Sequence, residues 1–395
     1  MDFGFAGEDE EFRGEARRWL REHLVGAYAD AAGRGGPGSE HEAPRARREW
    51  ERELGSGGWI GLGWSEAYGN RTATLTQQVV WAEEYATARA PGRVGHIGEN
   101  LLAPTLLAYG DDAQKRRFLP PVARGEELWC QGYSEPDAGS DLAGVRTVAV
   151  RDGDVYRVTG QKIWTSLAAE ADWCFVLART DPRERRHRGL SFLLVAMDQP
   201  GRIEVRPIRQ MSGTAEFNEV FFDGAVVRAA HVVGAEGDGW RVAMGLLARE
   251  RGVSTLVQQI GFAAELGEVV EAAIRSGAVR DPVLRDQLVC QWAELKVMRW
   301  NALRTLGAAG DAGAPSVAKL LWGGWHQRLG ELAMRVRGAA AALGPADWTA
   351  GTPYALDPTQ RLFLFTRADT LYGGSDEIQR NIIAERVLGL PRVER

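Results

Sequence analysis

The spacing of apolar residues changes twice along this chain, and those two changes constrain the fold more than any single motif. Up to about residue 127 the apolar positions recur at helical intervals. Phe12, Ala16, Trp19 and Leu20 lie among charges, Gly33 to Ser39 is a break, and Trp50 to Leu54 begins a further segment. Leu75 to Arg89, Leu101 to Tyr109 and Asp112 to Leu119 repeat the pattern. From about Leu128 the period falls to two: Val145, Thr147, Val148 and Val150, then Val155 to Val158, Cys174 to Val176, Phe192 to Val195, Ile203 to Val205 and Val220 to Phe222, separated by Gly, Pro and Asp turns. After Gly237-Asp238-Gly239 long helical runs return, about Trp240 to Ile274, Asp281 to Leu306, Ser316 to Leu343 and Arg361 to Val387, the last broken at Gly373-Gly374. A helical period does not suit a strand, nor the reverse. The expected architecture is therefore mainly α with a central β domain: an N-terminal helical domain over 1–127, a small antiparallel β domain over 128–235 and a C-terminal long-helix bundle over 236–395.

Composition narrows the function classes. A chain of 395 residues, 45% of them hydrophobic, can bury a large core in two or three domains. No apolar run approaches the roughly 18 to 20 residues of a membrane helix, and Met1-Asp2-Phe3-Gly4 lacks the shape of a signal peptide, so we expect a cytoplasmic protein without membrane insertion. The net charge of −5 argues against nucleic-acid binding, and the basic run Arg183 to Arg188 reads as a solvated loop after Asp181-Pro182. Cys130, Cys174 and Cys290 are odd in number and far apart, which excludes a disulfide framework and a structural zinc site and leaves reduced, mostly buried thiols with no metal.

The richest stretch runs from Trp129 to Ser166. Tyr133-Ser134-Glu135-Pro136-Asp137-Ala138-Gly139-Ser140-Asp141 has small residues where a backbone could approach a ligand closely, and hydroxyls placed to hydrogen-bond it. A strand pair turning at Asp152-Gly153-Asp154 then delivers Lys162-Ile163-Trp164-Thr165-Ser166, an indole followed by two hydroxyls. An indole can cover a flat ring while a hydroxyl reaches its edge. Taken singly, each half reads equally as ordinary turns and a core tryptophan.

Together and in this order the halves resemble the flavin-binding β domain of the acyl-CoA dehydrogenase family: a hydroxyl residue, Glu-Pro, a small run ending Gly-Ser-Asp, then Gly-x-Lys-x-Trp and a hydroxyl two residues later. The resemblance runs from about Phe12 to Arg392 and includes a turn like the family's at Gly58-Trp59-Ile60-Gly61, whose spacing does not fit the Rossmann fingerprint. It implies FAD as cofactor, held by Gln131, Tyr133, Ser134, Gly139, Ser140, Trp164, Thr165 and Ser166. Ser134 takes the place that meets the flavin pyrimidine ring, Ser140 the place near phosphate and substrate, and Ser166 the place facing flavin N5. Ser375 and Glu377 fall where relatives contact the adenylate half of the cofactor; helix capping is their other reading.

Along the first long C-terminal run, Val242, Leu246, Glu250, Val253 and Val257 fall at steps of three and four, which sets a carboxylate in an apolar stripe. A buried ion pair with Arg249 or Arg251 is one reading and a functional carboxylate the other. Most members of the family carry their catalytic Glu in a Tyr-Glu-Gly-Thr motif, which here is Tyr372-Gly373-Gly374-Ser375. The isovaleryl and long-chain branches instead place Glu before Arg on this helix, and this chain has Glu250-Arg251. The resemblance therefore implies Glu250 as the base, Arg251, Ser140 and Gly373 toward substrate, an acyl-CoA or acyl-carrier-protein thioester as substrate, and an electron-transfer flavoprotein as acceptor. It also implies a homodimer or homotetramer.

Some family features are absent. No Arg-x-x-Phe-Gly is legible between Ala272 and Leu288, the Gln-x-x-Gly-Gly-x-Gly run is replaced around Gly338 to Gly344, and Ala248 stands where many relatives place an Asp. The run Phe217-Asn218-Glu219-Val220-Phe221-Phe222 is most similar to bacterial members that act on ring-bearing substrates. Two alternatives remain: a non-catalytic subunit of a mixed oligomer, and a flavin oxidase or monooxygenase on the same fold.

Overall fold

A computed structural model of the chain describes residues 5–391 except 66, 70, 185, 251–252, 307–312 and 345–355; the side chains of 248–257 and 305–306 are also outside the description. The N-terminal part consists of helices α1 (Gly7–His23), α2 (Ala27–Asp30), α3 (Pro44–Ser56), α4 (Leu75–Thr87), α5 (Ala103–Tyr109) and α6 (Asp112–Ala123), with a π-helical turn over Gly98–Leu102 leading into α5. Thr74 and Asp111 open α4 and α6 by accepting hydrogen bonds from the backbone N–H of Gln77 and Gln114, whose side chains bond back. The helical stripe reads correctly: Ala16 and Leu20 of α1 pack against Trp50, Leu54, Trp59 and Trp81, with the Trp59 and Trp81 rings stacked at 4.2 Å.

Eight strands follow: β1 (Trp129–Gly132), β2 (Val148–Asp152), β3 (Val155–Ser166), β4 (Trp173–Arg179), β5 (Leu190–Ala196), β6 (Ile203–Ile208), β7 (Phe217–Arg228) and β8 (Val232–Val233). They form a sheet in the order β6-β7-β3-β2-β4-β5-β8, with β1 paired to β4. The expected antiparallel pairing holds for β2 with β3, β3 with β7, β6 with β7, β4 with β5 and β5 with β8. It does not hold on the other side of β4, which runs parallel to β1 and meets β2 in parallel at Val148 and Arg179. The chain leaves β1 and returns in the same direction after the β2–β3 hairpin, a crossover that apolar alternation cannot register.

Alternation on β4 buries both faces. Cys174, Val176 and Ala178 join one core with Tyr156, Val158 and Val220, while Phe175 and Leu177 join another with Phe118, Trp129, Phe192 and Leu194. That second core takes in α7 (Gly239–Glu250) through Val242, Ala243 and Leu246, all fully buried. The N-terminal helices are tied to the same end of the sheet by Gln114, whose amide donates to the carbonyls of Ala230 and Val232 at 2.9 and 2.7 Å.

The run expected from Trp240 to Ile274 is described as α7 and α8 (Val253–Ser276), and beyond it lie α9 (Pro282–Leu306), α10 (Ala314–Arg337), α11 (Pro358–Phe365) and α12 (Asp376–Ile382). α8, α9 and α10 share a core built on Phe262, Leu266, Leu284, Leu288, Trp325 and Leu329. The other face of α9 leaves Val289, Trp292, Val297 and Trp300 more than half exposed. Among the thiols Cys130 and Cys174 are buried side by side on β1 and β4, and Cys290 is exposed on α9. The basic loop is a series of turns in which Arg186 pairs with Asp141 at 2.6 Å and Arg183 with Asp181 at 3.0 Å.

Candidate active site

The two halves of the Trp129–Ser166 stretch meet in space. β1 delivers Gln131, and Tyr133 and Ser134 follow it directly; the Ser134 carbonyl accepts from the Ile163 N–H at 2.9 Å. This bond lays the Ser134 loop along the end of β3 that carries Trp164, Thr165 and Ser166. Lys162, fully buried, donates from Nζ to the Tyr133 carbonyl at 3.1 Å, to Glu135 Oε1 at 2.8 Å and to the Leu177 carbonyl at 2.8 Å. Glu135 in turn accepts from the N–H groups of Arg146 and Thr147 at 2.6 and 2.9 Å. The turn from Pro136 to Val145 is thus gripped at its base.

Glu135 and Lys162 stand in the Glu-Pro and Gly-x-Lys-x-Trp runs, but the sequence reading gives neither a role, although β3 offered a signal. Tyr156, Val158 and Lys162 fall at even steps on one strand face, and alternation puts the lysine where a core residue belongs. Burial alone would raise the Glu135 pKa; the Lys162 charge and the hydrogen bonds outweigh it and hold the carboxyl below its ordinary range. Burial also lowers Lys162, and Glu135 offsets part of that. The glycine of the Gly-x-Lys-x-Trp run has a steric cause, because a Cβ at Gly160 would lie 2.5 Å from Thr147 Oγ1.

At the far end of β3 the register against β7 shifts between Lys162 and Thr165. Trp164 sits at that irregularity with φ 60°, in the left-handed region, and its side chain is 57% exposed. A non-glycine residue there costs on the order of 1 to 2 kcal/mol, and the indole, mostly exposed, offsets that only through partial burial and an edge contact with the Phe217 ring at 6.2 Å. Thr165 is the converse: it is fully buried, its carbonyl accepts from the Asn218 amide at 3.0 Å, and its Oγ1 has no partner. Ser166 pairs with Phe217 across the ladder and is half-buried. Gly139 and Ser140 are exposed on the loop, and a Cβ at Gly139 would meet nothing within 4 Å. An orphaned buried hydroxyl, a strained outward indole and an open loop of small residues fit a flat polar group laid on this end of the sheet.

The C-terminal candidates lie in one turn. Gly373 (φ 63°) and Gly374 (φ 85°) separate Tyr372 from Ser375, which caps α12 by accepting from the Ile378 N–H at 3.5 Å. Glu377, in the first turn of α12, is exposed, and backbone and Ser375 hydrogen bonds lower its pKa. The turn is held from below by Gln379, whose amide donates to the Gly373 and Gly374 carbonyls at 3.3 and 3.1 Å. Burial and the Asp369 carboxylate that accepts its hydrogen bond push the Tyr372 hydroxyl well above its ordinary pKa. Glu250 is the last residue of α7, four after the buried Leu246, but its side chain and all of Arg251 lie outside the described residues.

Helices, an eight-stranded sheet and a further set of long helices follow one another along the chain, with the Ser134 loop laid against the end of β3, and comparison with known proteins gives the class of this three-part architecture. The models of the acyl-CoA dehydrogenase N-terminal, middle and C-terminal domains match residues 6–126, 130–225 and 237–388, and the chain belongs to the acyl-CoA dehydrogenase family. It is 55% identical to the acyl-CoA dehydrogenase IpdE1 of Mycobacterium tuberculosis over 97% of this chain and 98% of that one. Among solved structures it is similar to the Tcur3481-Tcur3483 steroid ACAD, at 30% identity and a TM-score of 0.84 over the whole of both chains. The ChsE4-ChsE5 complex of Mycobacterium tuberculosis matches at 32% identity, again over both chains in full, with a TM-score of 0.83. The protein is an acyl-CoA dehydrogenase, an oxidoreductase. No described helix is long and apolar enough to cross a membrane.

Proposed function

We propose that the chain oxidises an acyl-CoA thioester to the trans-2-enoyl thioester with FAD laid on the end of the sheet formed by Ser134 and Trp164 to Ser166. The observation that carries this reading is the pair of links, Ser134 to Ile163 and Glu135 to Lys162, which draws the two halves of the flavin motif into one surface. Trp164 would cover the ring, Ser166 and Ser134 would donate to its edge, and Gly139 and Ser140 would leave room for the phosphates. When bound, the flavin supplies the two-electron acceptor for the hydride lost from Cβ.

The chain's own part is to remove the proton. Glu250, the residue that closes α7, is the base: its carboxylate takes the Cα proton while the Cβ hydride leaves, and the Cα–Cβ double bond forms from the electrons of the broken Cα–H bond. Gly373, with a left-handed backbone and no side chain, lets its N–H approach the thioester oxygen, where negative charge develops as the proton departs. Ser140 and Arg251 contact the thioester's carrier portion. Ser375 and Glu377 border the adenylate half, in addition to the cap that Ser375 makes.

A ring-bearing acyl group is the substrate class we favour, because the similar solved structures include a steroid ACAD. We further propose assembly with a different chain rather than the homodimer or homotetramer expected from the family. The similar structures include the ChsE4-ChsE5 complex, the family runs that reach a neighbour's flavin diphosphate are missing here, and α9 presents Trp292 and Trp300 outward. An electron-transfer flavoprotein would reoxidise the enzyme.

The test is an anaerobic panel of butyryl-, isovaleryl-, octanoyl-, palmitoyl- and steroid-propanoyl-CoA, with flavin bleaching at 450 nm as an approximate marker of hydride transfer. At least one thioester should bleach the flavin, and Glu250→Gln should retain FAD while losing at least about a hundredfold in rate. Normal bleaching by Glu250→Gln removes the base assignment. Rapid reoxidation by oxygen would mark the oxidase alternative.

A further inference from the structure

Beneath the Gly373-Gly374 turn lies a buried polar chain that the reaction as described does not use. His326 of α10 is 5% exposed and is flanked by two carboxylates: Nδ1 lies 2.7 Å from Asp369 Oδ2 and Nε2 lies 2.7 Å from Glu265 Oε2, the latter on α8. Asp369 is fully buried and divides its oxygens, Oδ1 accepting from the Tyr372 hydroxyl at 2.6 Å. Its carbonyl accepts from Lys319 Nζ, and the lysine stem runs under the turn, with Cε 3.7 Å from where a Cβ of Gly373 would stand. The Phe262 ring lies 4.3 Å from the imidazole and closes the site from α8.

The arrangement has a directional logic. Tyr372 is the residue before Gly373, and two successive positive-φ glycines have little conformational preference of their own. The turn is therefore set by its neighbours: Gln379 holds the two glycine carbonyls from one side, and Tyr372 anchors the other. Tyr372 is held by its N–H on the Ala368 carbonyl at 3.1 Å, by the Lys319 ammonium 5.1 Å from its ring, and by its hydroxyl on one oxygen of Asp369, and that carboxylate is itself oriented by His326. A neutral imidazole has one N–H and can donate to only one of its two carboxylate neighbours. Burial alone would lower the His326 pKa; its bonds to Asp369 and Glu265 outweigh that and push it up to about 9, so at neutral pH both nitrogens donate. Lys319 from the same helix adds a positive charge to the cluster, its ammonium 5.1 Å from the Tyr372 ring.

We propose that His326, acting through Asp369 and Tyr372, is a positioning residue for the Gly373-Gly374 turn, and thereby for the thioester end of the substrate. The second clause rests on the reading that Gly373 faces the thioester. The relay makes the turn's geometry depend on α8 and α10 together, because Glu265 and His326 come from different helices.

The test combines amide hydrogen exchange with steady-state kinetics on the FAD-loaded protein, using the most active thioester of the panel above. His326→Leu should raise exchange across residues 370–375 by roughly tenfold or more, the loss of a charge-assisted bond, with the sheet unchanged. kcat should fall by a similar factor with KM within about threefold, since the Gly373 N–H meets charge that develops only as the proton departs. His326→Gln, which retains one donor for Asp369, should recover part of both effects. If His326→Leu does not fold, Tyr372→Phe removes only the 2.6 Å bond on a residue 38% exposed, and the same exchange increase is expected. Unchanged exchange at 370–375 in these variants overturns the relay. Faster exchange with kcat unmoved keeps the relay and removes Gly373 from the substrate site, which is a failure of the reading beneath it.

Discussion

Lys162 Nζ and Glu135 Oε1 lie 2.8 Å apart, the lysine fully buried and the glutamate 8% exposed, and the pair joins a strand to a loop 27 residues earlier in the chain. It stands at the junction of the two halves of the flavin surface. Three donors converge on Glu135 and three acceptors on Lys162, so neither charge is left to the low-dielectric interior.

Lys162→Met should therefore destabilise the fold by about 3 to 5 kcal/mol, the cost of leaving one member of a buried pair unmatched. The double variant Lys162→Met with Glu135→Leu should regain part of that stability, read from chemical denaturation, but not the FAD content. Equal FAD occupancy in wild type and double variant would separate the pair from the cofactor surface.

Trp164 holds a left-handed backbone while its ring stays more than half exposed. Trp164→Gly should leave the stability of the FAD-free protein within about 1 kcal/mol of wild type, since the relief of a left-handed φ offsets the chain entropy that glycine adds. FAD affinity should fall at least about tenfold, the worth of a stacked aromatic face. Titration with FAD by fluorescence quenching measures both.

The two carboxylate positions of the family can be tested against each other. Glu250→Gln combined with Gly373→Glu should recover part of the lost bleaching rate if both residues face one substrate carbon. The structure adds a condition: Gly373 has room for a Cβ, yet its φ of 63° charges any other residue about 1 to 2 kcal/mol. A double variant no faster than Glu250→Gln with every thioester of the panel would place the two residues apart.

Stability should fall at both ends of the pH scale for different reasons. His326 has a folded pKa of about 9, above its unfolded value of about 6.5. Its contribution is full below about pH 6.5, is lost as pH rises through about 9, and is on the order of 3 kcal/mol. At the acid end Glu51 opposes burial with the charge and hydrogen bonds of Arg93, and Glu135 with those of Lys162. Both have lowered folded pKa values, so their contribution is present above about pH 4.3 and is lost as pH falls through the lowered values. Denaturation midpoints across this range check it, and His326→Leu should flatten only the alkaline limb.

Features that repeat or stay contiguous along the chain are legible before it folds. Two changes of period marked the passage from helix to sheet and back, because burial on a helix or a strand repeats locally at 3.6 or 2 residues. The motif from Ser134 to Ser166 carried the family, and the turns at Gly153 and Gly373 carried their own reason in a positive φ. Tertiary structure alone decided what joins across distance. The parallel run of β4 beside β1 depends on where a crossover lands, and alternation is the same for either strand direction. Glu135 finds Lys162, and His326 finds Asp369 and Glu265, across 27, 43 and 61 positions. No local pattern encodes those partners, since a buried charge says only that some opposite group must reach it, and the packing of separate helices and strands selects which one does.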